Sequence, residues 1–485
     1  MAKLFVGIDF GTTNSTIAWV TPRGIVPRGP IPSMVAWENQ KIIALGERAR
    51  DMVGQGSPPY PLRDLKMQLG LAGVRLGPLS IEVVPLVADY LGHLFQAIGV
   101  NPNEVDAVIG TPVRVSRAHR EALRRACGMI GLEQVRFVYE PTAALVGALH
   151  ESAMPMNQTV LVVDWGGGTL DLALVAVDKS RGFRELGVDG DVNDLGGSRM
   201  DQEIARRLLA QSSAARQAVE SAPQGMAVLL EAIERLKIEF LDDGIDAEAR
   251  PVPGLTMRLF LESALVYEVA LEFAERARAA IRRMLETMNM RMADITTVLF
   301  AGGVSQSWAI RDNIMTLFPE AIPIYGDNPQ LHTGIGCADL ARKSFSVELA
   351  ADFAVRQSDD SLCVLLERGQ AVELNAYRKA EFMVTDVLAD EAMFHFGLCH
   401  FDPHRESLWA ADAKDFQTLG QVFLRVGQAE LSRAKRVPDF VEVLTGLDDY
   451  LSIAVFLRSQ RTDASREKYL TGVPLMIRVG DADGK

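Results

Sequence analysis

Two glycine-rich stretches, Gly11-Thr12-Thr13-Asn14 and Gly166-Gly167-Gly168-Thr169, carry the residues best suited to chemistry in this chain. A glycine turn after a buried strand lets backbone N–H groups point at a phosphate, and adjacent threonine hydroxyls add donors. Asp9, Asp164 and Asp171 put carboxylates beside those loops, which suits a magnesium ion held largely through water. Facing each other, the two loops would grip a nucleotide's phosphates from both sides. One such hairpin alone reads as a plain turn; a pair with matched aspartates does not.

Each loop ends an apolar run, Leu4 to Ile8 or Val160 to Val163, and precedes a second β-rich run, Ser15 to Val20 or Leu170 to Val177. The two units lie about one domain length apart, so a duplicated core of two lobes is expected. Val105 to Gly110 reads as a buried strand. Ser116 to Ile130 reads as an amphipathic helix with Ala118, Ala122, Ala126 and Ile130 on one side. In the second half Thr297 to Ala301 is a strand, Gly302-Gly303 a turn and Ser307 to Leu317 a helix, with further helices at Met200 to Ser213, Ala227 to Leu241 and Ser263 to Met290. Beyond about residue 346 short segments alternate apolar and polar residues between polar turns, the pattern of a β-sandwich.

The chain has 485 residues, a formal charge of −13, 48% hydrophobic and 23% charged residues. That is the composition of a folded globular protein, and the acidic balance argues against a nucleic-acid or anionic-membrane surface. Cys127, Cys337, Cys363 and Cys399 form no C-x-x-C pair, so neither a zinc site nor a disulfide framework is indicated. The N-terminal apolar run is too short for a signal peptide, and no uncharged run approaches the roughly 18 residues of a bilayer span. A cytoplasmic monomer is expected.

Gly7-Ile-Asp-Phe-Gly-Thr-Thr-Asn-Ser15 and Val163-Asp-Trp-Gly-Gly-Gly-Thr-Leu-Asp171 resemble the phosphate loops of the seventy-kilodalton heat-shock (heat-shock protein 70, DnaK-type) chaperones, members of the actin, sugar kinase and heat-shock ATPase superfamily. Asp106 to Pro112 with Arg120, Glu140-Pro-Thr-Ala-Ala144, Gly187 to Asp201 with Leu195-Gly196-Gly197, and Val298 to Gly303 resemble further motifs of that family. The likeness covers residues 3 to about 343 in order. It implies an α/β two-lobed actin-like ATPase domain, built on a duplicated ribonuclease H-like core, at 1–346. Within it lobe I would span about 1–182, lobe II about 183–330 and a closing helix about 331–344. A linker at 347–356 and a lidless β-sandwich at 357–485 would follow.

The resemblance implies ATP/ADP and Mg²⁺ as ligands. Thr12 and Thr13, with Gly11 and Asn14, would hold the outer phosphates against Gly166, Gly167 and Gly168, and Asp9 and Asp164 would hold the magnesium shell. Thr169 would lie near the γ-phosphate, Lys66 would stabilise the transferred phosphoryl, and Asp171 and Glu140 would position or polarise the attacking water. Gly196, Gly197, Gly302 and Gly303 would line the nucleotide, and Glu234 and Lys237 would contact its ribose. Pro112 and Arg120 resemble a proline switch and its arginine relay. Val304 and Gln306 stand where the family has a small polar residue and a base-stacking arginine, Leu241 replaces a polar residue, and Gln330 replaces an aspartate. These changes would weaken nucleotide affinity or relax base preference.

The expected function is that of an ATP-dependent chaperone or chaperone-like regulator whose β-domain binds extended peptides or a dedicated protein client. A J-domain cochaperone and a nucleotide-exchange factor are the implied partners. A sugar kinase-type phosphotransferase and an actin-like filament protein are the competing readings, and neither accounts for an appended sandwich. His395 and His400 do not make a metal pair.

Overall fold

The strand ending at Asp9 belongs to a five-stranded sheet, and the strand carrying Asp164 to a larger sheet in which five strands repeat its order. The computed structural model describes residues 4–55, 59–71, 73–76, 79–151, 158–178, 182–191, 195–222, 224–243, 249–252, 259–343, 345–357, 361–369, 374–384, 391–399, 416–426, 429–432, 435–437 and 439–479. In the first sheet β1 (Leu4–Asp9), β2 (Asn14–Thr21), β3 (Gly24–Pro32), β4 (Val105–Thr111) and β5 (Val135–Tyr139) lie in the order β5-β4-β1-β2-β3. In the second, β6 (Gln158–Trp165), β7 (Leu170–Asp178), β8 (Gly182–Asp191), β9 (Thr297–Ala301) and β10 (Ile322–Ile324) repeat it as β10-β9-β6-β7-β8. β1 pairs antiparallel with β2 and parallel with β4, and β6 does the same with β7 and β9.

Because β6 and β7 belong to the second sheet, the boundary between lobes falls before Gln158, not near residue 182 as expected. The parallel pairing of Val160 to Asp164 with Thr297 to Ala301 puts them there.

Helices connect the strands: α1 (Glu47–Arg50), α2 (Leu65–Gln68), α3 (Val83–Ile98), α4 (Arg117–Met129), α5 (Glu140–Glu151), α6 (Gly197–Ala210), α7 (Gly225–Asp243), α8 (Ser263–Thr287), α9 (Trp308–Met315) and α10 (His332–Arg342). The buried face of α4 is His119, Arg120, Ala122, Leu123, Ala126 and Cys127, while Ala118 is exposed. α5 and α10 hold equivalent places at the ends of the two repeats, and each is exchanged. α10 packs on β1, β2 and β4 of the first sheet, whereas α5 packs on β6 and β7 of the second. The two helices also cross each other so closely that a Cβ at Gly336 would strike the backbone of Ala143. His332 through Ala341 are all buried.

By compactness the chain divides into two units, Met1–Lys179 with Val188–Ser344 and Asp481–Lys485, and Ser180–Gly187 with Phe345–Gly480. Residues 180–187 thus group with the C-terminal part, which no local pattern in the sequence signals. Within the second unit β11 (Phe345–Leu349) pairs with a C-terminal strand at Leu475–Val479. One four-stranded antiparallel sheet has the order β13-β12-β15-β16, made of β12 (Asp352–Arg356), β13 (Leu362–Leu366), β15 (Glu391–Cys399) and β16 (Gln417–Arg425). The other, β14-β17-β18-β19, is made of β14 (Arg378–Val384), β17 (Asp439–Leu447), β18 (Ile453–Ser459) and β19 (Ser465–Leu470).

Within the stretch 347–356, expected as a linker, Val347 to Leu349 and Asp352 to Arg356 are strand. Leu349, Phe353, Ala354 and Val355 are buried, and their backbone groups are committed to ladders. Limited proteolysis is therefore expected to leave 345–356 uncut with and without nucleotide. Fragment masses showing early cleavage there would mean these strands open readily. Among the described residues no helix is long and apolar enough to cross a membrane, and the four cysteines are free thiols. His400 lies outside the described residues.

Candidate functional site

The register of the two first strands fixes the chemistry. Asp9 pairs with Thr16 across the β1–β2 hairpin, and at the matching place Asp164 pairs with Asp171 across β6–β7. Both hairpins turn toward a common cleft of about 1130 Å³, including its open mouth, inside the first unit. The loops touch: a Cβ at Gly167 would fall on Thr13 Oγ1 and one at Gly168 on Thr12 Oγ1, so only glycine permits this approach. A third loop is pinned beneath the second. Gly197 N donates to Gly166 O at 3.1 Å, Ser198 N to Gly167 O at 2.7 Å, and the buried Trp165 donates its indole N–H to Leu195 O.

Of the residues expected to hold a nucleotide or act on it, all line this cleft except Gly196, which backs Gly168, and Asp171, which is buried next to Asp164 across the hairpin. α2 carries Lys66 into it, and the lysine is 4% exposed, not the solvated side chain its short helix suggests. Its Nζ lies 2.5 Å from Glu140 Oε1, at the start of α5. Burial disfavours the lysine's charge, but Glu140 and Asp9 outweigh that and hold its pKa above the usual value.

Lys66 faces four carboxylates here, with Arg120 acting on Glu140 from farther off. Burial, against the attraction of Lys66, pushes Asp9 up to about 6 and Glu140 up to about 7. Burial and the charge of Glu140 raise Asp171 to about 6. Asp164 is raised strongly by burial and then by Glu140, Asp9 and Asp171. Such a deficit of positive charge is what a divalent cation with its water shell relieves. Among the described residues no cluster of three His, Cys, Asp or Glu is placed to cage a metal directly.

Asp171 is anchored from outside the cleft. Val113 N donates to its Oδ1 at 2.8 Å, and Oδ2 has no partner. The turn 111–113 that supplies this donor is itself held by Arg120, fully buried, whose guanidinium donates to Thr111 Oγ1 at 3.2 Å, Pro112 O at 2.9 Å and Val113 O at 3.2 Å and lies over the Tyr139 ring. Pro112 and Arg120 therefore do not touch the cleft. A hydrogen-bonded link from them to it runs through the Val113 amide, and the charge of Arg120 also acts on Glu140.

Glu234 and Lys237 line the cleft on α7, yet both are engaged within the protein. Lys237 Nζ lies 2.7 Å from Asp201 Oδ1, and Glu234 accepts from Arg63. Burial opposes the charge of Arg63, but Glu234, Glu231 and Asp64 raise its pKa above the usual value. Arg50 on α1 adds contacts to Glu231 at 2.7 Å and Glu234 at 3.6 Å. Gln224 spans the same gap, accepting from Gly54 N at 3.0 Å and donating to Pro59 O at 2.6 Å. These contacts tie Arg50, Gly54, Pro59 and Arg63 of the first lobe to Gln224 and α7 of the second. The charges of Arg50 and Arg63 gave no local signal, because their partners lie far away in sequence.

Arg50→Ala removes two of those contacts at a half-buried pair worth about 1 kcal/mol. Bound nucleotide is then expected to dissociate about fivefold faster, read by stopped-flow chase of a fluorescent analogue. An unchanged rate would mean that the mouth opens without breaking these pairs.

A family model described as Hsp70 protein matches residues 96–342, about half of the chain. Curated relatives named Chaperone protein DnaK include those of Mycoplasmoides gallisepticum, 28% identical over 69% of this chain and 59% of that protein, and of Thermotoga neapolitana, 29% identical over the same shares. Another is that of Mycoplasma mobile, 28% identical over 70% of this chain and 58% of that protein. The chain thus spans about three fifths of the length of these relatives.

Proposed function

Since this chain belongs to the Hsp70 family, we propose that it binds Mg-ATP in the cleft of the first unit, hydrolyses it, and couples that cycle to protein binding by the second unit. The observation that carries this reading is the pair of interlocked glycine loops flanked by four buried carboxylates and one lysine. Two loops of N–H donors fit phosphate oxygens on opposite sides, and the uncompensated carboxylates fit a hydrated divalent ion beside them.

Thr12, Thr13, Gly11, Asn14 and Gly166 to Gly168 would bind the phosphates, with Thr169 at the γ end and Gly196, Gly197, Gly302 and Gly303 shaping the walls. Asp9 and Asp164 would hold the magnesium ion through its waters; once bound, the ion supplies charge neutralisation for the leaving and transferred oxygens. Glu140 Oε and the unpartnered Asp171 Oδ2 would orient the attacking water and take up its proton. Lys66 would stabilise charge growing on the γ-phosphoryl. Glu234 and Lys237, fixed by Arg63 and Asp201, would present their remaining polar edges to the ribose. Pro112 and Arg120 would report the state of Asp171 to the rest of the protein.

For the second unit, the two antiparallel sheets would act as a β-sandwich that binds an extended apolar segment. Phe382 and Phe394 meet edge to face at 6.4 Å, and Met383 with Phe440 and Met393 with Phe423 form exposed cross-strand pairs. Aromatic and methionine side chains in adjacent strands suit an adaptable apolar pocket. A J-domain cochaperone and a nucleotide-exchange factor would set the pace of the cycle.

ATP turnover measured with and without an unfolded peptide tests the whole reading. Stimulation by peptide is expected. Turnover stimulated by a small sugar, or ATP-dependent sedimentation of polymer, would replace it with one of the competing functions. Basal turnover indifferent to peptides would leave a dedicated protein client as the partner.

A further inference from the structure

We infer that the apolar end of the cleft reads its base through the neutral amides of Gln306 and Gln330, and so accepts guanine as well as adenine. The inference rests on the proposed nucleotide reading. A base is the flat, apolar part of a nucleotide, and the apolar side chains lining the cleft include Ile238 and Leu241 of α7 and Val304 after β9. Gln306 belongs to the same turn as Val304, and Gln330 packs against Gly303.

Among the described residues lining this end, the fixed charges are already paired with one another. The nearby ions are engaged with each other, Lys237 with Asp201 at 2.7 Å and Glu234 with Arg63, and Ser307 is used capping α9. The Oε1 atom of Gln330 is buried and has no hydrogen-bond partner, an orphan acceptor beside a pocket that would hold a planar heterocycle. A buried amide carbonyl left bare is costly, and a bound N–H donor would remove that cost.

A carboxamide carries one acceptor and two donors on one rotatable plane. Turned one way, Gln330 and Gln306 complement adenine, which presents an amino donor beside a ring-nitrogen acceptor. Turned by half a revolution, they complement guanine, which presents a carbonyl acceptor beside an N–H donor. A carboxylate only accepts and a guanidinium only donates, so neither could adapt in this way.

The test is calorimetric titration of the full chain with MgATP, MgGTP and MgCTP. ATP and GTP are expected to bind within about tenfold of each other, and CTP about tenfold more weakly because one ring covers less of Ile238, Leu241 and Val304. Gln330→Met should weaken ATP and GTP alike by about fivefold, the loss of one hydrogen bond. GTP weaker than ATP by more than a hundredfold, or CTP equal to ATP, would overturn the inference and leave nucleotide binding intact. Unchanged affinities in Gln330→Met would remove Gln330 as the reader. Binding of no nucleotide would overturn the nucleotide reading, and this inference with it.

Discussion

Lys66→Ala is expected to lower ATP turnover by about a hundredfold or more while ATP affinity changes little. The ammonium is buried between Glu140 and Asp9, and its contribution grows as negative charge accumulates on the transferred phosphoryl, so its loss falls on the transition state. The fold should tolerate the change. Glu140, already pushed up to about 7 by its burial, can take a proton when its cation is removed, which limits the cost of an unpaired buried charge. That proton also removes the carboxylate from its role toward water, adding to the loss of rate. Single-turnover hydrolysis alongside equilibrium nucleotide binding separates the two effects. Parallel losses of binding and turnover would assign Lys66 to the ground state.

Arg120→Ala is expected to destabilise the first unit by about 3 kcal/mol or more and to cut turnover as well. Three buried acceptors, Thr111 Oγ1, Pro112 O and Val113 O, would lose their donor, and a fully buried side chain would leave a void against Tyr139. The freed turn would no longer hold Val113 N on Asp171 Oδ1, so the carboxylate that orients water would lose its register. Denaturant unfolding gives the first quantity and steady-state turnover the second. Arg120→Lys sharpens the test, because it keeps the charge but cannot reach three acceptors at once. Full activity in Arg120→Lys would show that charge alone suffices.

What could be read from the sequence was what is local. The hairpins at Asp9 and Asp164 announce themselves because strand, glycine turn and strand are contiguous, and their identical spacing implied the duplicated sheets that the strand orders display. The burial of Lys66 was not legible, since a four-residue helix has no periodicity and its partner Glu140 enters from another helix. Nor were the ties from Arg50 and Arg63 to α7, which depend on tertiary approach alone. The misplaced lobe boundary has the same origin: β6 and β7 continue without a break in composition from α5, and only parallel pairing with β9 shows to which sheet they belong. The strands within 347–356 take their partners from distant segments, Leu475 to Val479 and Glu391 to Cys399, which no local pattern marks.

The exchange of α5 and α10 has a consequence for how the first unit comes into being. Each repeat's own strands are left bare on one side until the closing helix of the other repeat arrives, so neither half has a complete interior by itself. Newly made polypeptide can pair β1 to β5 early, but that sheet stays without its cover until residues 332–342, far along the chain, have emerged. The two halves should therefore fold and melt as a single cooperative block, and the first half should wait, exposed, for the second during synthesis.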